Sequence, residues 1–382
     1  MLFRQICGHT EIKQKLISTI KDERISHAQL FAGPEGNGKL ALAIAYAQFL
    51  SCSDRQEDDS CGKCNSCIKY NKLVHPDLHF VFPVVSIKTN TKPVSDDFLV
   101  HWREYILGKP YYSFDEWVDK INLEKKQAGI FAHESNEIIR KLNLKTFQAE
   151  YKVMVIWMPE KMNVSASNKL LKVLEEPPPK TLFLLVSDNP DTIIQTVLSR
   201  TQMLKIPKIS RTDMKETLLK DFSLPEEKAQ EIVRLSAGNF NRAYHLIDFG
   251  TDDESEFFPE FTELMRNAYV ANIENLIAWS ENISQKGREK QKLFLNYSLR
   301  MLRENFILNV SRENKEHLSF LANKELEFSE KFSTFINKNN IYELNQEFNT
   351  ALHHIERNGY DRIILLDLAL KTTKLLRKNN DN

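Results

Sequence analysis

The sequence lacks any run of about 18 apolar residues, which leaves it without a candidate membrane-spanning helix. Its opening residues, MLFRQICGHTEIKQK, carry neither the apolar stretch nor the small-residue cleavage site of a secretory leader. The expectation is a soluble, cytoplasmic protein with no membrane partner. Net charge is also missing: 52 Lys and Arg balance 52 Asp and Glu, so nucleic acid cannot be held by a general basic field, and any DNA contact must be local or shared with partners. Glycine (11 residues) and proline (13 residues) are at ordinary levels and low-complexity tracts are absent. Collagen-like, coiled-coil and wholly disordered chains are thereby excluded.

What is present is a globular composition, 42% hydrophobic over 382 residues, long enough for two or three domains. Five cysteines stand at 7, 52, 61, 64 and 67, the last four spaced C-x8-C-x2-C-x2-C. Thiolates two residues apart on a tight turn, with Gly62 inside it, can converge on one tetrahedral ion at ~2.3 Å, and zinc is the usual occupant of a four-sulfur shell. Three sulfurs within seven residues, an odd total and a reducing cytoplasm argue against a disulfide framework. Cys52, Cys61, Cys64 and Cys67 are therefore the expected ligands of a closed, structural zinc site, and Cys7 a buried small hydrophobe.

Helical spacing of Ile12, Leu16 and Ile20 predicts a helix over 11–20 with Thr10 as its N-cap. HAQLFA (27–32) reads as a buried strand, followed by GPEGNGK and the helix LALAIAYAQFL. LHFVFPVV (78–85), YKVMVIWM (151–158) and TLFLLVS (181–187) are further strands, and SASNKLLKVLEE is a helix ended by prolines at 177–179. This alternation predicts an α/β fold with a parallel sheet. The aromatic-rich insertion at 97–126, with Trp102, Tyr111, Tyr112, Phe114 and Trp117, reads either as surface helices packing on the domain or as a protein-binding face. Beyond Ser210 only amphipathic helices follow, over 211–221, 225–236, 239–248 and from 255 to the end, with domain boundaries near 208 and 250. The acidic crowding at 252–263 and basic crowding at 286–303 read as solvated helix faces.

Gly33-x4-Gly38-Lys39, between a strand and a helix, is the context in which a P-loop cradles phosphates. The next residue should carry a hydroxyl for Mg2+, but it is Leu40. The acidic pair that ends a buried strand in such proteins is replaced by Trp157 and Met158, and the first carboxylate beyond is Glu160. Both losses remove oxygen ligands of one ion, so ATP hydrolysis by this chain is not expected; residual nucleotide binding at Gly33, Gly38 and Lys39 stays open, weak at most.

HAQLFAGPEGNGK, the four-cysteine module, NKLLKVLEEPP (168–178) and the Ser199-Arg200 pair in VLSRTQ occur in one order. Together, over roughly residues 5–245, they resemble the delta-prime type of subunit of the bacterial DNA polymerase III clamp loader, in the AAA+ superfamily. The resemblance implies an AAA+ P-loop-like domain over 1–208 with its zinc module at about 50–75, a helical lid domain over 209–250, and an all-α collar domain for oligomerisation over 251–382. It implies an arginine finger, Arg200 beside Ser199, placed in trans in a neighbour's ATP site, where a guanidinium stabilises γ-phosphoryl charge. Thr201 stands where such subunits usually carry cysteine. Gly238-Asn239-Phe240-Asn241-Arg242 is similar to a lid motif whose arginine meets nucleotide in active relatives; here Arg242 reads as structural.

The implied partners are gamma/tau and delta subunits in a hetero-pentameric ring, with the sliding clamp and primer-template DNA reached through the complex. Within the polymerase III holoenzyme the chain would be associated with DNA-directed DNA polymerase activity without being an ATPase itself. The alternative is an ATP-hydrolysing gamma/tau-like motor or other AAA+ ATPase, since the motor subunits share the zinc module and the LLKxLEEPP helix. A stand-alone zinc-containing DNA-binding module is disfavoured because only Lys63, Lys69 and Lys72 stand through the cysteine cluster.

Overall fold

The computed structural model describes residues 1–85, 92–121, 128–249, 257–310, 321 and 323–377. Two compact units divide the chain, Met1–Tyr244 and His245–Asn382.

The first unit is built on five parallel strands, β1 (Ala28–Ala32), β2 (Leu78–Val81), β3 (Lys152–Trp157), β4 (Thr181–Ser187) and β5 (Gln202–Lys205), in the order β2-β3-β4-β1-β5. β1, β3 and β4 are buried along their whole length, which is why they read as near-continuous apolar runs. Side chains alternate between two cores: Phe31, Val153, Val155, Leu182 and Leu184 face one, and Leu30, Met154, Ile156, Phe183 and Leu185 the other.

Helices α1 (Thr10–Lys21) and α2 (Lys39–Ser51) contribute to the first core; α2 is buried from Lys39 to Leu50, too apolar all round for an amphipathic surface helix. The N-cap of α1 is His9, in a left-handed conformation at φ 59°, and not the expected Thr10, which is already helical. The expected strand at 78–85 stops at Val81; Pro83, which has no N–H for the ladder, lies beyond its end, and Val84 pairs only with Gly129. After α3 (Asn65–Asn71) come α4 (Leu99–Gly108) and α5 (Phe114–Ile121), whose aromatic side chains join the first core, while the rest of that insertion, 122–127, lies outside the described residues. α6 (Glu134–Asn143), α7 (Val164–Glu175) and α8 (Gln195–Leu198) cover the second core. The prolines at 177–179 lie just beyond α7, whose start is capped by Asn163 accepting from the Ala166 N–H at 2.8 Å.

Three more helices follow, α9 (Arg211–Asp221), α10 (Glu226–Ser236) and α11 (Phe240–Phe249). Ser210 caps α9 by accepting from the Asp213 N–H at 3.0 Å, and Met214, Leu218, Ile232, Leu235 and Phe240 are buried. We refer to α9 to α11 up to Tyr244 as the lid, because its end meets the phosphate loop.

The second unit is helical among its described residues: Phe258–Val270, Ile273–Gln285, Arg288–Val310, Asn323–Phe332, Ile341–Glu356 and Asp361–Arg377. Its core gathers Phe261, Leu264, Trp279, Phe294, Met301, Phe348 and Leu368. Basic side chains at 286–303 are matched within the unit: Lys286 pairs with Glu260, Arg303 with Glu304, and Arg300 grips the buried Glu325 through both terminal nitrogens at 2.6 and 3.2 Å. No helix among the described residues is long and apolar enough to cross a membrane.

Candidate functional site: a filled phosphate loop and a four-cysteine cluster

The loop between β1 and α2 sits at the carboxyl edge of the sheet, where open α/β sheets place their ligands. Gly36 has φ +69°, and a Cβ there would meet the Asn239 side chain at 1.8 Å; Gly38 has φ +84°, and a Cβ would lie 3.0 Å from the Tyr111 ring. Only glycine fits both positions. The loop is tied down by Asn37, whose amide donates to the Ile206 carbonyl at 2.8 Å, while the Lys39 N–H donates to Asn37 Oδ1 at 3.2 Å.

Lys39 is buried, and its ammonium is already engaged: it donates to the Pro34 carbonyl at 2.9 Å and pairs with the carboxylate of Asp188, the residue after β4. Glu35 adds a second carboxyl, accepting from the Asn241 amide at 3.3 Å. Burial, then the negative charge of Asp188, pushes Glu35 up to about 7. A phosphate entering here would meet two acidic side chains and a lysine that already has an anionic partner. Buried polar atoms around the loop, Ser187 Oγ, Asn241 Oδ1 and Glu160 Oε2, have no hydrogen-bond partner; the amide oxygen and an ionised carboxylate offer an anion no proton, and the serine hydroxyl is the one of the three that can donate.

Three of the four positions where metal ligands were expected carry apolar side chains, and the fourth is Glu160. Leu40 is in the core. Trp157 closes β3 inside an aromatic cluster, 5.2 Å from Trp102 and 6.3 Å from Phe114, and Phe82 stacks on Trp102 at 4.2 Å. Met158 is buried and left-handed at φ 57°. Glu160 serves the backbone: its Oε1 accepts from the N–H groups of Asp188 and Asn189 at 2.9 and 3.2 Å, and burial raises its carboxyl. The aromatic insertion thus fills the region beside β3.

Ser199 and Arg200 are placed elsewhere. β5 runs parallel to β1 with Gln202 opposite Gln29 and Lys205 opposite Ala32, so Arg200 precedes one end of these strands while Gly33 follows the other. At about 3.3 Å per residue the two sites are separated by the length of the strand pair, on the order of 10 Å or more. Arg200 donates from Nη1 to the Thr196 carbonyl at 2.9 Å and the Ser199 hydroxyl oxygen at 3.2 Å, and its Nη2 reaches Glu175 at 2.5 Å at the end of α7. About a third of the side chain is exposed. The structure therefore does not bring the arginine to its own phosphate loop.

The four cysteines do come together. Sγ of Cys52 lies 3.6 Å from that of Cys61 and 4.0 Å from that of Cys64, with Cys61 and Cys67 also at 4.0 Å. A tetrahedron with ~2.3 Å bonds has edges of about 3.8 Å, so the donor set fits a zinc ion with little movement. Gly62, at φ +75°, makes the turn, and the N–H groups of Cys61, Cys64 and Cys67 point at sulfurs at 3.3 to 3.4 Å, as thiolates favour. With four protein ligands such a site is closed to substrate. Cys7 is buried, accepts from the Thr217 hydroxyl at 3.0 Å, and is pushed up to about 11 chiefly by burial, which leaves it inert.

Sequence reasoning gave no role to Asp188, Glu35 or Glu175, and named Asn239 only within the lid motif, not as a partner of Gly36. Glu35 and Glu175 were visible inside motifs; Asp188 had no local signal, because its pairing with Lys39 crosses about 150 residues of chain.

Residues 8–210 match the protein family described as "DNA polymerase III, delta subunit". Among curated proteins, the DNA polymerase III subunit delta' of Bacillus subtilis is 24% identical over 243 residues, 64% of this chain and 59% of that one. The subunit delta' of Yersinia pestis is 30% identical over 189 residues, 49% of this chain and 43% of that one, and the subunit tau of B. subtilis 24% over 251 residues, 64% and 37%. The chain spans less than two thirds of the length of these relatives.

Proposed function

Since the chain belongs to the DNA polymerase III delta-subunit family, and within it is delta-prime-like, we propose that it is a non-hydrolysing subunit of the DNA polymerase III clamp loader. The observation that carries this reading is the state of the phosphate loop: Lys39 is paired with Asp188, Leu40 replaces the hydroxyl, and Trp157 replaces the acid at the end of β3. Hydrolysis needs a metal held by oxygen ligands and a lysine facing the phosphates, and these substitutions remove both.

In this reading Arg200 acts in trans. Its position at the opposite end of β1 and β5 from the phosphate loop supports a role outside the chain's own site, and the three contacts of its guanidinium support a preset orientation. The partners are gamma/tau and delta subunits of a ring, with clamp and primer-template DNA engaged through the complex in the cytoplasm. Residues 1–208 serve as the AAA+ module, 209–250 as its lid and 251–382 as the collar, with zinc on Cys52, Cys61, Cys64 and Cys67 as a structural element.

The likeness to the B. subtilis subunit tau favours one competing reading, an ATP-hydrolysing motor. One experiment separates them: DNA- and clamp-stimulated ATPase of a reconstituted loader containing this chain or its Arg200→Ala variant. At unchanged assembly the variant loader loses about two to three orders of magnitude of rate. An unchanged rate would reduce the chain to a scaffold, and Mg2+-dependent turnover by the isolated chain would establish the motor reading instead.

A further inference from the structure

Tyr111, in the connection between α4 and α5, lies between three separate parts of the first unit. Its hydroxyl oxygen accepts from the Cys7 N–H at 2.8 Å. Its ring lies against Gly38 of the phosphate loop, where a Cβ would be 3.0 Å away. Phe240 at the start of α11 stacks on the same ring at 4.4 Å with the ring planes 10° apart, and Tyr244 follows at 6.0 Å. The residue is 2% exposed.

Phosphate loop and lid are joined directly as well. The Phe240 N–H donates to the Gly36 carbonyl at 2.8 Å, Asn239 packs on Gly36, and the Asn241 amide reaches Glu35. In domains that close around a ligand, the ligand supplies the contacts that hold both sides. Here the chain supplies them: Asp188 is the anion on Lys39, and Tyr111 is a planar ring in contact with both loop and lid.

We propose that Tyr111 is an internal strap that fixes the lid to the phosphate loop in the nucleotide-free chain. The inference rests on the reading of this loop as one that serves no hydrolysis, and it gives the aromatic insertion a role. Stacking contributes beyond the burial of the two rings, and the removal of either ring leaves an unfilled space at the junction. The lid amides should then open locally without unfolding of the sheet.

The test is hydrogen exchange on the full chain, without nucleotide, for the wild type, Tyr111→Leu, Phe240→Leu and the double variant. Exchange at residues 238–244 rises about tenfold or more in each single variant and little further in the double, while β1, β3 and β4 keep their wild-type rates. A smaller rise at 238–244, additive effects, or a rise spread equally over the sheet would overturn the strap. The parent reading is checked apart from this, by equilibrium binding of a fluorescent ATP analogue with Mg2+ to the wild type. Binding with turnover there defeats the non-hydrolysing assignment, whereas the exchange result depends on Tyr111 alone.

Discussion

At the scale of single residues, the loop between β1 and α2 combines a turn made by glycines with a lysine that is paired inside the chain. Its glycines still make the turn, yet Lys39 is spent on Asp188 and Glu35 is held half-buried beside the same carboxylate. Because the folded-state pKa of Glu35, about 7, lies above its ordinary 4.5, the folded chain retains a proton that the unfolded chain releases. Stability is therefore full below about pH 4.5, falls as pH rises towards 7, and stays at the lower level above it. Glu35→Gln should raise unfolding stability by about 1–2 kcal/mol near pH 8 and change it little near pH 4.5, as measured by urea unfolding at both pH values. That positions 40 and 157 carry buried apolar side chains was legible, because Leu40 and Trp157 occupy positions defined by a short motif and a strand end. Asp188 was not, since nothing in SDNP announces that its carboxylate crosses to β1's loop.

At the scale of elements, the strands declared themselves by apolar runs, and β3 and β4 fall within a residue of their expected bounds. β5 was silent because QMLK lies at the sheet edge, half exposed, and carries no such run. The aromatic insertion was legible as packing and not as position: Trp102 and Trp117 are fully buried, the second donating its indole N–H to the Pro83 carbonyl at 2.8 Å. The cysteine module was the clearest local signal, because spacing alone dictates convergence of four sulfurs. Cys64→Ser should lower zinc from about one ion per chain to near none and raise hydrogen exchange over residues 52–73, since binding energy of a structural zinc is folding energy. Metal analysis of protein purified without chelator, together with that exchange map, checks it; a full zinc content in the variant would remove Cys64 from the shell.

At the scale of the whole molecule, alternation of strand and helix in the first half and helices alone in the second were readable from the pattern of apolar residues. A boundary was expected near 250, and the units divide a few residues earlier, inside α11, which carries no break in helical signal. Zero net charge also proved uninformative about burial: Arg300, Glu325 and the Tyr297 hydroxyl, 2.8 Å from Glu325, form a polar knot inside the helical unit. Glu325→Ala removes the carboxylate that Arg300 holds through both terminal nitrogens and should destabilise that unit by about 3–5 kcal/mol, whereas Arg300→Met with Glu325→Leu should recover most of the loss, by denaturant unfolding. The cluster of Trp102, Trp117 and Trp157 has an optical consequence. With ring centroids 5.1 and 5.2 Å apart, and the first pair nearly perpendicular, the indoles share their excitation, so the near-ultraviolet spectrum of the α/β unit belongs to the group and to no single ring. Trp279, set in the other unit's core, is the fourth and last tryptophan of the chain, and supplies a chromophore separate in origin. The protein thus carries a native label in each half.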